Sequence, residues 1–185
     1  MPQLNINRAL EISGWMDEAE LLWLAEQAQC HKDIVEIGSW MGRSTRALAD
    51  NTEGSVWAVD TWKGSDEHTH LLEGKSENWL YEEFQRNMEG LPKGRLYPFR
   101  DLSLAAAECF QRMKIKFDMV FIDADHGYEC AKDDIQAWRK LLVPGGLLCG
   151  HDYGPLGSWP GVQQAVDELV PDRVLEAGYI WCKYV

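Results

Sequence analysis

Short apolar runs recur along the chain, each followed by turn-forming residues and then by apolar positions at helical spacing. The runs IVEI (34–37), SVWAVD (55–60), RLYPFR (95–100), DMVFID (118–123) and GLLCGH (146–151) predict strands. STRALAD, the stretch around NWLYEEFQRNM, LSLAAAECFQRM and YECAKDDIQAWRKLL predict the helices between them. Upstream, DEAELLWLAEQAQ has apolar residues at helical spacing, and Asp17 with Glu20 forms a D-x-x-E variant of the capping box. At the other end, DRVLEAG and YIWCKYV read as a hairpin turning at Ala177 and Gly178. Strands alternating with helices predict an α/β fold, a mostly parallel sheet covered on both faces.

In such sheets ligands bind beyond the carboxyl ends of the strands, near the switch in strand order. The residues predicted there are Glu36-Ile37-Gly38, Asp60-Thr61-Trp62, Asp101-Leu102-Ser103, Asp123-Ala124-Asp125-His126 and His151-Asp152-Tyr153. Every group is acidic. One carboxylate after a strand is ordinary; five in register predict one acidic crevice.

Composition narrows what that crevice serves. The 185 residues suit one domain over 1–185, with a helical segment at 1–30 and a polar, Gly- and Ser-containing stretch at 61–79 that reads as a lid or insertion. A formal net charge of -12 with scattered Lys and Arg excludes a nucleic-acid face and a basic membrane-binding stripe. MPQLNINRALEIS lacks an apolar signal core, and the five cysteines, odd in number and without C-x-x-C spacing, read as reduced small core residues. A cytoplasmic setting is the expectation.

The loop EIGSWMGRS is not the G-x-G-x-x-G of dinucleotide enzymes. Gly38 and Gly42 allow close backbone approach, and Ser44 at a helix start can receive a carboxylate. Asp60, at the end of the second strand, is placed to accept hydrogen bonds from ribose hydroxyls. A ligand with a ribose, a carboxylate and a positive group near Glu36 is implied, and S-adenosylmethionine has all three. The structural alternatives are a strand-end charge for Glu36, a turn residue for Asp60 and a helix N-cap for Ser103.

EIGSWMGRST, VWAVDTW, FIDADHGYECAKDDIQAW, VPGGLLCGHDY and the C-terminal hairpin together resemble the class I S-adenosylmethionine-dependent methyltransferases, from about Gly14 to the end of the chain. The resemblance is closest to the small-molecule O-methyltransferases of the catechol/caffeoyl-CoA and macrolide-sugar kinds. It implies a Rossmann-like three-layer sandwich, with a seven-stranded, mostly parallel sheet ending in an antiparallel hairpin. It places Glu36 near the cofactor's amino group, Gly38, Ser39 and Gly42 against its methionine part, and Ser44 on its carboxylate. Asp60 would hold the ribose with Thr61 beside it, and Trp62 would pack near the adenine. Asp101 and Ser103 match the acid-x-serine element that flanks the adenine, and Asp123 closes the cofactor crevice. A homo-oligomer is compatible with the resemblance, since such folds often pair.

Methyl transfer from a sulfonium needs the acceptor oxygen held in line and a destination for its proton. The resemblance puts a general base at His126, three residues past Asp123, and Mg²⁺ at the acids Asp123 and Asp152. This chain departs from the family pattern by carrying His151-Asp152 where macrolide-sugar enzymes have Glu-Asp. A nitrogen ligand there shifts preference toward Mn²⁺, Fe²⁺ or Zn²⁺, unless His151 stands aside. Asp125 reads as a cap before the next helix, and Asp66, His68 and His70 as solvated loop residues. Trp15 reads either as an acceptor cover or as core. The expected activity is O-methylation of a small hydroxylated molecule, a sugar or a phenol. The alternatives are a catalytically silent S-adenosylmethionine-binding protein, an NAD-dependent dehydrogenase on a similar sheet, or a relative with other metal-dependent chemistry such as hydroxylation.

Overall fold

The structure, a computed structural model, describes residues 3–154 and 159–185. Its strands are β1 (Asp33–Ile37), β2 (Ser55–Asp60), β3 (Leu96–Arg100), β4 (Phe117–Ile122), β5 (Leu142–Gly150), β6 (Val174–Leu175) and β7 (Trp181–Tyr184). The helices are α1 (Asn7–Glu11), α2 (Glu18–Cys30), α3 (Arg43–Asn51), α4 (Trp79–Asn87), α5 (Ser103–Met113), α6 (Tyr128–Arg139) and α7 (Pro160–Leu169). All seven strands form one sheet in the order β3-β2-β1-β4-β5-β7-β6. Strands β1 to β5 run parallel, and β7 pairs antiparallel with both β5 and β6. The hairpin expected at the C-terminus is therefore present, turning through Gly178 at φ 57°.

Side-chain alternation sorts the core into two halves. Val35 and Ile37 of β1, with Val120 and Ile122 of β4, pack against Phe110 of α5, Trp138 of α6 and Val166 of α7. Ile34, Met119 and Phe121 face the other way, onto Leu21 and Leu24 of α2 and Leu48 of α3. The result is a three-layer sandwich. Glu36 lies on the same face of β1 as Ile34, so the period of two turns its carboxylate toward α3.

Helix α2 begins with the expected capping box: Glu20 N–H donates to Asp17 Oδ1 at 2.9 Å and Asp17 N–H to Glu20 Oε2 at 2.8 Å. Helix α7 is an addition to the predicted elements. Its signals were in the sequence, with Pro160 in the first turn and Val162, Ala165, Val166 and Leu169 at helical spacing. The cysteine expectation needs correction: Cys149 and Cys182 are buried, but Cys30 and Cys130 are exposed, all five unpaired. No helix among the described residues is long and apolar enough to cross a membrane.

Candidate active site

The chain moves outward from β1 to β2 and β3, then returns to place β4 on the other side of β1. That reversal opens a crevice at the carboxyl end of the β1–β4 pair. Two segments of backbone meet there. Gly38 has φ 89°, and a Cβ on it would lie 2.0 Å from the Asp123 carbonyl oxygen, so only glycine fits. Gly42, at φ 90°, is the N-cap of α3 and turns the chain under Phe84 and Met88.

Glu36 is fully buried beneath this turn. Ser39 Oγ donates to its Oε2 at 2.7 Å, and the Thr45 hydroxyl donates to the same oxygen. Its Oε1 is buried without a hydrogen bond, although the Ser44 hydroxyl, with those of Thr45 and Ser39, favours the charged carboxylate. Burial pushes the Glu36 carboxyl up to about 7, against the hydroxyl donors that favour its charge. An unmatched buried carboxylate oxygen beside a glycine turn fits a donor or cation on a bound molecule.

Asp60 is tied to the turn by backbone donors. Its Oδ2 accepts from Ser39 N–H at 2.9 Å and Trp40 N–H at 2.8 Å, and its Oδ1 from Trp62 N–H at 2.7 Å. Burial nevertheless pushes its carboxyl upward. Trp62, expected beside the adenine, is instead fully buried, its ring 4.7 Å from those of both Tyr81 and Phe84. Its indole donates to the Trp40 carbonyl at 2.9 Å, which braces the turn from below. Its backbone is left-handed, at φ 49°.

Further along the edge, Ser103 opens α5 one residue after the N-cap position, which Leu102 occupies. Its hydroxyl donates to Asp134 and accepts from Trp138 Nε1 at 2.8 Å, so it ties α5 to α6. Asp101 is exposed, and its Oδ1 accepts from Leu102 N–H at 2.8 Å. Ser44 is buried near Glu36 in the first turn of α3, and Lys63 N–H closes a turn onto Thr61 Oγ1 at 3.2 Å.

Strands β4 and β5 are neighbours, with Ile122 opposite Gly150, and their ends carry a chain of alternating acids and imidazoles. Glu20 Oε1 lies 2.9 Å from His151 Nε2. His151 Nδ1 lies 3.1 Å from Asp152 Oδ1 and 3.6 Å from Asp123 Oδ1. Asp152 Oδ2 lies 3.1 Å from His126 Nε2, and His126 Nδ1 lies 2.6 Å from Glu67 Oε2. One donor atom each from Asp123, His151 and Asp152 falls within a 4.8 Å span, a group able to hold a metal ion.

The charges of this chain follow from its geometry. Burial works against a proton on His151, but Asp123, Asp152 and Glu20 pull its imidazole up to about 11. Burial likewise opposes charge on His126, and its hydrogen bonds to Asp152 and Glu67 override it, up to about 9. Asp152 is held well below the usual carboxylate range by its two imidazole partners despite burial. Asp123, further from His151, is pushed upward by burial. The His126 ring stacks on Trp159 at 3.8 Å and 12°.

Backbone strain concentrates here. Four non-glycine residues have positive φ among the described residues, and three of them, Trp40, Trp62 and Asp152 at 47°, 49° and 64°, belong to the site.

A family model described as a methyltransferase domain matches residues 35–153, from the first strand through Tyr153. The chain belongs to this methyltransferase family. The O-methyltransferase from Bacillus cereus in complex with SAH superposes with a TM-score of 0.63 at 19% identity, over 97% of this chain and 87% of that one. CalS11, a TDP-rhamnose 3'-O-methyltransferase of calicheamicin biosynthesis, matches with 0.62 at 15% over 89% and 76%. Precorrin 8w decarboxylase from Methanobacterium thermoautotrophicum matches with 0.63 at 14% over 95% of each chain. These identities make the likeness one of fold, and the last neighbour's name shows that the fold carries more than one chemistry. No curated protein matches the sequence.

In this methyltransferase, the crevice brings together Glu36, Gly38, Ser39, Gly42, Asp60 and Asp123, and beside them His126, His151 and Asp152. Trp62 is buried beneath the turn, and Ser103 ties α5 to α6. Four contributors escaped the sequence reading. Thr45 and Glu20 were adjacent to recognised signals, in the glycine turn and the capping box, but Glu67 and Trp159 carry no local pattern. His68, read as a solvated loop residue, instead packs 4.4 Å from Trp15 and bonds Ser65 at 2.8 Å. Asp125 accepts from Gly127 N–H at 2.7 Å, a turn immediately before α6.

Proposed function

We propose that the chain transfers a methyl group from S-adenosylmethionine to a hydroxyl oxygen of a small sugar or phenol. The observation that carries this reading is the position of Asp152. One of its oxygens faces His126 Nε2 and the other faces His151 Nδ1, each at 3.1 Å, so a proton acceptor and a cation-binding group share one carboxylate. Deprotonating a hydroxyl calls for both.

Glu36, with Oε1 free, faces the donor's amino group, and Asp60 its ribose. Gly38 lets the turn close against the backbone of Asp123, which fixes the turn beside the donor site. Once His151 Nδ1 gives up the proton that its carboxylate neighbours hold on it, the donor set Asp123, Asp152 and His151 fits a divalent ion of the Mn²⁺, Fe²⁺ or Zn²⁺ kind better than Mg²⁺, because one ligand is nitrogen. Glu20 supports that use of His151: a carboxylate on Nε2 directs Nδ1 at the two aspartates. Such an ion, when bound, lowers the pKa of a hydroxyl that coordinates it.

His126 takes the proton. Flanked by Glu67 and Asp152 it is charged at neutral pH, so it acts as a base only from the state in which Asp152 turns to another partner. The oxygen then bonds to the methyl carbon as the carbon–sulfur bond breaks, its electron pair passing to sulfur and the hydroxyl proton to Nε2.

The test is transfer of an isotope-labelled methyl group to a panel of sugars and phenols, with and without chelator. Labelled ethers that vanish on adding EDTA and in His126→Ala support the reading. Transfer only to nitrogen or carbon acceptors, or rates indifferent to both changes, would overturn it.

A further inference from the structure

Three side chains set the ring of His126, and one of them stands on the polar segment 61–79. Trp159 stacks on the imidazole at 3.8 Å and 12°, which fixes its plane. Stacking leaves open a half-turn about the Cβ–Cγ bond, the soft two-fold torsion of histidine, which would exchange each nitrogen for a carbon. Nδ1 at 2.6 Å from Glu67 Oε2 and Nε2 at 3.1 Å from Asp152 Oδ2 select one of the two orientations.

Asp152 cannot keep that choice through the reaction, because it turns away from Nε2 before the base accepts the hydroxyl proton. Glu67 then remains. An ionised carboxylate accepts hydrogen bonds and donates none, so the proton it faces stays on Nδ1 and the lone pair stays on Nε2. We propose that Glu67 is a positioning residue for methyl transfer. It keeps Nε2 aimed at the acceptor hydroxyl, and does so only while segment 61–79 covers the crevice. The inference rests on the function proposed above.

The segment is arranged to deliver this group. One guanidinium at the end of β3 holds both of its ends: Arg100 Nε donates to the Thr61 carbonyl at 3.1 Å, and Nη1 to Asn78 Oδ1 at 2.9 Å. Between these anchors lies a short 3-10 helix, Asp66–Leu71, flanked by two glycines in the left-handed region, Gly64 at φ 81° and Gly74 at φ 74°. A Cβ on Gly64 would lie 2.6 Å from Leu72 Cδ1, so the segment folds back closely on itself there. Its middle touches the body of the protein through Glu67 on His126, and through His68 against the rings of Trp15 and Trp40 at 4.4 and 5.7 Å.

Residues 73–78 are all exposed, and a segment with so little burial opens readily. The Glu67 side chain is itself 43% exposed, and an ion pair so open to water adds little to stability. What the contact does is orient the ring.

The experiment uses the full chain saturated with S-adenosylhomocysteine. Proton NMR should show a downfield imidazole N–H that disappears in both His126→Ala and Glu67→Ala and persists in Glu73→Ala. Amide exchange over 62–77 should quicken several-fold in Glu67→Ala. With S-adenosylmethionine and the panel sugar or phenol that the wild type methylates fastest, Glu67→Ala should lower kcat about 10–100-fold, the scale for losing a carboxylate that orients an imidazole, and leave KM nearly unchanged. Glu67→Gln, whose amide oxygen still accepts from Nδ1, should recover most of that loss. Glu73→Ala, which removes a charge from the same segment, should lose nothing. Unchanged affinity for S-adenosylhomocysteine verifies that the variants fold. Faster exchange with kcat unchanged overturns the proposal and leaves Glu67 a latch without a part in the chemistry. So does a downfield proton that survives in Glu67→Ala, or an equal loss of kcat in Glu73→Ala. A wild type that binds S-adenosylhomocysteine but methylates nothing in the panel overturns the proposed function, and the role of Glu67 in it, whatever the variants show.

Discussion

The two halves of the acidic edge hold their carboxylates in different ways. At the ends of β1 and β2, Glu36 and Asp60 are met by hydroxyls and backbone N–H groups, which cannot change charge at physiological pH. At the ends of β4 and β5, Asp123 and Asp152 are met by imidazoles, which can. Neutral, fixed donors keep a carboxylate in place and leave its spare valence for a ligand. Titratable partners can take up protons or turn toward a cation. On the proposed function, the first half binds and the second reacts.

Asp152→Asn separates the halves most sharply. It removes the charge that both imidazoles share, and methyl transfer should fall about 10³-fold, the scale of general acid–base catalysis. Affinity for S-adenosylhomocysteine, measured by calorimetry, should barely move. Asp60→Asn should do the reverse, weakening that affinity with a smaller loss in kcat. Equal effects of the two variants on binding would erase the distinction.

Glu20→Ala ranks next, and its effect is on stability. Both oxygens of Glu20 are engaged: Oε1 by His151 Nε2 and by Tyr179 N–H, each at 2.9 Å, and Oε2 by Asp17 N–H. Deletion leaves Nε2 of the buried His151 ring and a hairpin N–H unpaired, a loss of about 3 kcal/mol. For a chain of this length that lowers Tm by roughly 6–12 °C in thermal unfolding. Glu20→Gln keeps the shape and one acceptor, and should lose about half as much.

How much of this was legible follows from the range of the forces involved. Strand and helix periodicity is local, so β1 to β5 and the acids at their ends could be read directly, Glu36 and Asp60 among them. Glu20 was also read, but only as half of a capping box. Its second role needs His151, 131 positions away, and no local pattern encodes that contact. Trp62 misled for a related reason. Its backbone is left-handed at φ 49° and its indole is fully buried, and neither is encoded in the residues around it. Helix α7 is also local in its signals, with Pro160 in its first turn and apolar residues at helical spacing. Glu67 depends on how 61–79 folds back over His126, which only the tertiary structure decides.

The smallest predicted effect is a pH dependence, and it tests the binding half by itself. The Glu36 carboxyl titrates at about 7 in the folded chain, above its ordinary value of 4.5, because burial disfavours the charge. The folded chain thus holds a proton that the unfolded chain has lost, so this group's contribution to stability declines as pH rises between those two values. Binding runs the other way. The amino group of S-adenosylhomocysteine, a cation, prefers the ionised carboxylate, so its association must expel the Glu36 proton below pH 7. Affinity should therefore rise by up to about tenfold per pH unit approaching 7 from below, and level off above it. Other buried acids share the first trend, so the decisive comparison is Glu36→Gln, which should flatten the rise in affinity. Calorimetry in two buffers of different ionisation heat reads the released proton directly. A slope that survives in the Gln variant would place the titrating group elsewhere and leave the unpartnered oxygen of Glu36 without a ligand.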